Sequence, residues 1–520
     1  MLKFYLVLFS WFILISFAYS FTDDFDDIFS ETQETEDKRY NGKAVPYSLE
    51  ETFDGSFSAR GFNGTWISST KILYRDSETK DLLTFDVQSL KSTLFLNAST
   101  VEGNPSINLS PDGSHLLIGQ LVSKGNRISN LRKYRVYNLQ KKSSSDVAEG
   151  RNVSLAIWSP VGNDLFYVLD NDIYRRVVVN NTIKITRLTF DGVPGVIYNG
   201  VPDWVYEEEV LKSDGALQVS QDGKYLLFAT FNDTLVKEVI YPIYGNPGDL
   251  NSQYPSLMKL KYPKAGCAMP TVSLNLINLS KPDTSLTFLK APCDIVGSYG
   301  GPGSVRVIDA FNQGLESYMT TNRSTICAFL EGRGSGNKGS KMLFEIYRGL
   351  GTVEIEDIIA ITQNLQKKFS WIDEKRTAIW GWSYGGYATG MVLATDIESV
   401  FTCGISVAPV AAWIYYDSIY TERYMDLPTI EDNLAAYNKT DLTRLVEGIR
   451  GKDFLLIHGT GDDNVHYQNA MALSKSLAMK DIPYDEVFYP DERHALSGVS
   501  PHLYHKIDRF LGKCLKLTYA

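Results

Sequence analysis

Gly381-Trp382-Ser383-Tyr384-Gly385 lies between the apolar run Thr377-Ala378-Ile379-Trp380 and the small-residue stretch Tyr387-Ala388-Thr389-Gly390-Met391-Val392-Leu393-Ala394. The order reads as strand, sharp turn, helix. A strand that turns at once into a helix strains the backbone at the serine, so its hydroxyl projects above the sheet and nearby amides can receive an oxyanion. Glycines on both sides permit the close backbone approach. The pentapeptide therefore predicts a nucleophile elbow at Ser383 within a doubly wound, mostly parallel sheet of the α/β-hydrolase kind. Further strands are expected at 325–330, 403–408 and 454–458, with a helix over 354–368.

A serine nucleophile needs a base, and the base needs an orienting carboxylate; in elbow hydrolases these follow in the chain as Asp and then His. The apolar run Phe454-Leu455-Leu456-Ile457-His458 opens into Gly459-Thr460-Gly461-Asp462-Asp463-Asn464, which puts Asp462 in a loop at a strand's carboxyl end. Further on, Tyr484-Asp485-Glu486-Val487-Phe488-Tyr489-Pro490 alternates like an edge strand and leads through Asp491-Glu492-Arg493 to His494, ahead of a closing helix near 503–511. Asp462 is the expected orienting acid and His494 the expected base. His458 and His466 flank the Asp462 loop, but chain order and spacing favour His494.

Upstream the pattern changes. From about 43 to 289 the chain reads as short alternating strands with turns at Ser110-Pro111-Asp112-Gly113, Ser159-Pro160-Val161-Gly162 and Ser220-Gln221-Asp222-Gly223. A turn recurring every 50 to 60 residues or so predicts four or five blades of a β-propeller over 45–290, followed by the catalytic domain over 291–520. Met1-Leu2-Lys3, an apolar stretch over 4–18 and the ending Ala18-Tyr19-Ser20 read as a signal peptide or signal anchor over 1–20. The acidic segment 21–44 reads as a disordered stalk.

The 520 residues, 44% hydrophobic and 22% charged, suffice for two domains with cores of their own. A net charge of −10 argues against nucleic acid and anionic lipid as partners. The sequence has no Cys/His cluster with ligand spacing and no H-E-x-x-H, and Gly332-Arg333-Gly334-Ser335-Gly336 lacks the Lys-Ser/Thr ending of a phosphate loop, so neither metal nor cofactor is expected. Nine N-x-S/T sequons, at Asn63, Asn97, Asn108, Asn152, Asn180, Asn232, Asn278, Asn322 and Asn438, fit a secreted or cell-surface glycoprotein. Five cysteines (Cys267, Cys293, Cys327, Cys403, Cys514) are too few for a disulfide scaffold and leave at least one unpaired. Cys327, within an apolar run, reads as a buried thiol.

The elbow extended to Gly386-Tyr387, the segment Asp203-Trp204-Val205-Tyr206-Glu207-Glu208-Glu209-Val210, and His458-Gly459-Thr460-Gly461-Asp462-Asp463-Asn464-Val465-His466 together resemble the dipeptidyl peptidase IV family of the prolyl oligopeptidase clan. The likeness runs from about 45 to 512. Its specific part is the acidic segment, since the elbow alone fits many esterases. The resemblance implies a triad of Ser383, Asp462 and His494, with an oxyanion hole from the Tyr299 hydroxyl and the Tyr384 amide. Donors about 2.7–3.1 Å from a developing oxyanion are each worth roughly 3 kcal/mol. It further implies that Glu208 and Glu209 grip the substrate's free amino terminus and that Arg127 and Asn464 hold the carbonyl of its second residue. Val410, Trp413, Tyr416, Tyr420 and Val465, with Tyr384, would enclose a proline ring or alanine methyl. Proline offers a flat apolar ring and no N–H, so an aromatic box with few polar demands suits it. Cys403 and Cys514 match a family disulfide that ties the last helix to the sheet.

The chain departs from that family in one respect. The family carries an eight-bladed propeller before a complete hydrolase sheet, whereas here blade-like sequence ends near Lys290 and Tyr299 follows at once. An incomplete propeller and a hydrolase sheet without its opening strands are therefore expected. The leading expectation is a serine exopeptidase acting on peptides with a free amino terminus and penultimate Pro or Ala, with a homodimer as a further expected assembly. Two rivals stand beside it: a catalytically silent glycoprotein that binds other proteins, and a general esterase, for which the acidic segment has no use.

Overall fold

The computed structural model describes the backbone of residues 4–9, 250 and 287–289 and, with side chains, residues 48–54, 64–101, 103, 105–179, 182–249, 251–280, 301–305, 314–369 and 372–517. Tyr299, Cys293, Asn63, Asn180 and the acidic segment 21–44 lie outside the described residues.

The carboxyl-terminal part is a six-stranded sheet in the order Thr325–Phe329, Phe4–Phe9, Ile372–Trp382, Cys403–Val407, Asp453–Gly459, Asp485–Tyr489, every neighbouring pair parallel. Parallel strands need crossovers, and the helices Val353–Lys368, Tyr384–Thr395 and Gln468–Met479 supply them. Alternate strand residues feed two cores. Ile379, Phe454 and Leu456 pack with Ile355, Tyr387 and Leu473 on one face. Ala378, Ile405, Leu455 and Ile457 pack with Met319, Leu503, Ile507 and Leu511 on the other.

The opening strands expected to be absent leave an interior slot, and Phe4–Phe9, expected as the start of an export signal, runs through it between Thr325–Phe329 and Ile372–Trp382. A parallel sheet covered on both faces accepts a continuous apolar run at such a position, which is why this segment competes for it.

The closing helix Ser500–Cys514 is fixed twice. Arg323 donates to Asp508 through two bonds of 2.7 and 2.8 Å, both side chains buried. Cys403, on the strand after the elbow, is bonded to Cys514 across a separation of 111 residues. A cross-link closing so long a loop restricts the unfolded chain most, so reduction is expected to cost about 2–4 kcal/mol of stability, read as a lowered denaturant midpoint with and without a thiol reductant. Cys267 and Cys327 are free thiols, Cys327 half-buried rather than fully buried.

Among the described residues the amino-terminal part holds four blade-like antiparallel sheets and a two-stranded ribbon. The first three have four strands each, spanning Thr65–Leu96, Ser106–Asp146 and Leu155–Arg187. In the fourth, Ile197–Asn199, Tyr225–Asn232, Thr271–Asn278 and Thr287–Leu289 pair in that order and Leu217–Val219 adds to Tyr225–Asn232. A two-stranded ribbon, Glu238–Ile243 with Ser256–Lys261, projects from this blade. The three Ser-to-Gly turns all join the first long strand of a blade to its neighbour. Gly113 and Gly223, at φ 73° and 71°, close them by donating to Ser110 and Ser220 carbonyls at 2.8 Å.

Candidate active site

Ser383 stands between the strand Ile372–Trp382 and the helix Tyr384–Thr395 at φ 59°, ψ −119°, a conformation that costs a non-glycine residue on the order of 1–3 kcal/mol. The strain is held by packing: its amide donates to the Val407 carbonyl at 2.8 Å and its carbonyl accepts from Tyr387 at 3.0 Å. Tyr384 opens the helix, and at a helix's first residue the amide has no intrahelical acceptor, which suits the Tyr384 amide to an anion.

His494 arrives on the loop after the edge strand Asp485–Tyr489, and its carbonyl accepts from Trp382 Nε1 at 2.9 Å, which sets it beside the elbow. Its Nδ1 lies 2.8 Å from Asp462 Oδ2, while Nε2 is buried with no hydrogen-bond partner among the described residues. With Nδ1 donating to the carboxylate, Nε2 is left as the acceptor. Asp462 also accepts from His458 Nε2 at 3.1 Å and from the Asn464 amide at 3.0 Å. Burial alone would raise the Asp462 carboxyl, but the His494 and His458 imidazoles outweigh it and hold it well below the usual carboxylate range. Burial alone would lower His494, and the Asp462 carboxylate reverses that, leaving it above the ordinary histidine value.

The two other histidines of the loop brace it. His458 Nε2 also lies 2.7 Å from the Val465 carbonyl. His466 packs tilted against Tyr262, 4.2 Å between ring centres, and burial pushes it down to about 4, so it stays neutral.

The acidic segment forms a six-residue helix, Tyr206–Leu211, whose three glutamates are all buried and differ in what they meet. Glu207 Oε1 accepts from the amides of Ile128 and Ser129 at 2.7 and 2.9 Å and so fixes the loop that carries Arg127. Glu208 Oε1 takes Arg127 Nη1 at 2.7 Å and Asn464 Nδ2 at 2.9 Å. Glu209 has Lys212 at 3.8 Å. Asp417, fully buried at the start of the helix Ser418–Met425, adds a further carboxyl to the cluster. Burial first, and then the neighbouring carboxylates, push Glu209 and Asp417 up.

The predicted pocket residues come together. Val410, Trp413, Tyr416, Tyr420, Val465 and Tyr384 are all buried in one cluster. Trp413 lies 5.6 Å from Tyr384 and 6.1 Å from both Tyr416 and Tyr420, ring centre to ring centre. The Tyr384 hydroxyl donates to buried Glu354 at 2.6 Å and the Tyr416 hydroxyl to Asn464 Oδ1 at 2.9 Å, which fixes both rings. Tyr299 itself is outside the described residues, but the loop after it borders this cluster. A Cβ at Gly301 would lie 1.8 Å from the Tyr420 hydroxyl, so no larger residue fits there.

Three contributors escaped the sequence reading. Glu207 has no role in the sequence reading, and its partners are backbone amides of a distant loop. Tyr262 donates to the Asn464 carbonyl at 2.9 Å and packs tilted against Trp204, 4.6 Å between ring centres, joining the acidic segment to the Asp462 loop. Asp417 did carry a local signal: it caps its helix by accepting from the Tyr420 amide at 2.9 Å, and an Asp just before a helix can be read from sequence. Arg333 makes an ion pair with Asp357, 2.7 Å from Nη2 to Oδ1, as a structural residue would.

An elbow serine on a doubly wound parallel sheet, with an acid and a histidine after it in chain order, defines a serine hydrolase of the α/β-hydrolase fold. Residues 311–518 match the model of the prolyl oligopeptidase family, and residues 110–302 match that of the dipeptidyl peptidase IV amino-terminal region. Venom dipeptidyl peptidase 4 of Vespa velutina is 35% identical over 739 aligned positions, covering 94% of this chain and 95% of the relative. That of Apis mellifera is 34% identical over 735 positions, covering 93% and 95%. The crystal structure of Porphyromonas gingivalis dipeptidyl peptidase 4 shares the fold with a TM-score of 0.81 at 20% identity, over 91% of this chain and 100% of that one. The chain belongs to the dipeptidyl peptidase IV family of the prolyl oligopeptidase clan of serine peptidases. The alignments with the venom relatives have more positions than this chain has residues, so those relatives carry internal sequence with no counterpart here.

Proposed function

We propose that the chain releases Xaa-Pro, and less readily Xaa-Ala, dipeptides from free amino termini. Glu208 and Glu209 bind the substrate ammonium, Arg127 and Asn464 hold the carbonyl of the second residue, and the Trp413 cluster takes its side chain. Ser383 Oγ attacks the second peptide bond while His494 Nε2 accepts its proton and then passes it to the leaving amine. Asp462 fixes the tautomer and stabilises the imidazolium. The Tyr384 amide, with the Tyr299 hydroxyl assigned from its motif, takes the oxyanion.

The observation that carries this reading is the three-residue stretch Asp462-Asp463-Asn464, which bonds His494 at one end and Glu208 at the other. An extended dipeptide spans about 7 Å. An anchor wired that closely to the base presents the second peptide bond to the serine and rejects chains lacking a free amine. The rival esterase has no use for buried carboxyls at this place. The silent-glycoprotein reading is favoured by one fact, the internal sequence that the relatives carry and this chain lacks. Treating purified monodisperse protein with a fluorophosphonate probe and assaying a Gly-Pro anilide beside short acyl esters separates the three. Labelling with Gly-Pro turnover supports the exopeptidase. No labelling supports the silent form, and ester turnover alone supports the esterase.

A pH dependence follows from the site. His494 must be neutral to act as base, and its value lies above the ordinary 6.5 or so, so the acid limb of kcat should fall above that value. Asp462→Asn removes the cause of that upward shift and should both lower kcat by about 10⁴-fold and move the limb to lower pH. A pH–rate profile of the two proteins checks it.

We further infer secretion or cell-surface display from the sequons. The seven sequon asparagines that the structure describes are all exposed or half-buried, so each side chain can carry a glycan. Among the described residues no helix is long and apolar enough to cross a membrane. A mobility shift of the secreted protein on deglycosylation is the expected result.

A further inference from the structure

The helix Tyr206–Leu211 is six residues long, too short to hold its own direction, yet it must present Glu208 and Glu209 to one point. Its start is fixed by Asp203, whose Oδ1 accepts from the Tyr206 amide at 2.7 Å and whose carbonyl accepts from Glu207 at 3.0 Å. The same Asp203 side chain faces Asp233, just past the blade strand Tyr225–Asn232, within hydrogen-bonding range. Each is 1% exposed, and Asp203 Oδ2 and Asp233 Oδ1 find no donor among the described residues. Asp233 is itself held in place, its amide donating to Val196 at 2.8 Å and its carbonyl accepting from Val236 at 3.0 Å.

Two buried carboxyls in contact cannot both ionise cheaply, and a single proton shared between them removes one of the two charges and supplies the donor the pair lacks. The titratable and charged groups facing the pair are Tyr198, Tyr206, Glu207 and Lys261. Lys261 lies 3.7 Å from Glu238, so its charge is shared. Burial first, then the carboxyl opposite, raises Asp233; burial raises Asp203.

We propose that Asp203 and Asp233 are a proton-sharing carboxyl pair that positions the Glu208 and Glu209 clamp by seating the short acidic helix against the fourth blade. They are positioning residues and touch no substrate. Because both folded-state values lie above the unfolded one, the stability they contribute is complete in acid and is lost as pH rises through the folded values. Loss of the shared proton sets two carboxylates against each other and unseats the helix. Binding of the substrate ammonium then weakens while the chemistry at Ser383 does not. This effect on KM rests on the exopeptidase reading; the effect on stability does not.

Asp233→Asn tests it, since an amide N–H supplies the shared hydrogen bond at every pH and leaves the Asn232 sequon intact. Wild type and variant are compared at about pH 6 and about pH 9 by thermal melting and by steady-state kinetics on a Gly-Pro anilide. The wild-type Tm should fall over that interval by at least about 3 °C more than the variant's. Its KM should rise at least about threefold more, with the same kcat ratio in both proteins. Titration of the substrate amine is common to both and cancels. Parallel melting profiles and equal KM ratios would overturn the proposal. Asp203→Asn, which keeps a good helix cap, should reproduce the flattening from the other side. Failure of both variants to fold would also overturn it, because an amide makes the bond the proton makes. If the Gly-Pro substrate is not turned over at all, the exopeptidase reading fails while the melting comparison still decides the pair.

Discussion

Ser383→Ala is expected to lower kcat for a Gly-Pro anilide by about 10⁶-fold, the loss seen when the nucleophile of a serine triad is removed, and to abolish fluorophosphonate labelling. Its hydroxyl is the reactive group, and the contacts that hold its strained φ of 59° are made by backbone atoms to Val407 and Tyr387, which alanine keeps. The variant should therefore fold and melt like the wild type within about 0.5 kcal/mol, with substrate KM little changed. Activity falling by less than about tenfold would mean that another group attacks the peptide.

Neutralising the clamp is the second large effect. Glu208→Gln keeps the volume and the acceptor that Arg127 and Asn464 use, but removes the charge that holds an ammonium. A hydrogen bond to a charged group contributes about 1.5–3 kcal/mol. Each of Glu208→Gln and Glu209→Gln should then cost about 10- to 100-fold in kcat/KM, and the double variant about 10²- to 10⁴-fold. The loss should fall on KM more than kcat, since the ammonium is bound equally in the ground and transition states. Glu207→Gln behaves differently. It loosens the loop of residues 126–129 and so acts through Arg127, with a smaller effect on kcat/KM than either clamp variant. Equal losses for all three substitutions, read by steady-state kinetics on the same substrate, would contradict this division of labour.

What was legible in the sequence was what local pattern encodes. The elbow, the Asp462 loop, the edge strand before His494 and the Ser-to-Gly blade turns each depend on periodicity and turn chemistry within a dozen residues, and each stands where the pattern puts it. The propeller and hydrolase fold class followed from the change of pattern near Tyr299. Less was legible where a residue's role is set by a partner far along the chain. Glu207, Glu208 and Glu209 are alike in sequence, and they are told apart only by the amides of Ile128 and Ser129, by Arg127 and Asn464, and by Lys212. The Cys403–Cys514 pair came from resemblance, because residues 111 apart carry no local sign of their contact. Nor did anything in the run Phe4–Phe9 distinguish an export signal from a strand in an interior slot, since both need the same continuous apolar composition.

In the proposed reaction an acidic anchor counts two residues from a peptide's amino terminus to Ser383. The direct measurement is mass analysis of products from one peptide with proline second in sequence, offered with a free and with an acetylated amino terminus. The free form should release its amino-terminal dipeptide, and the acetylated one should be cleaved at least about a hundredfold more slowly. Equal cleavage of the two, or cuts elsewhere in the chain, would contradict it.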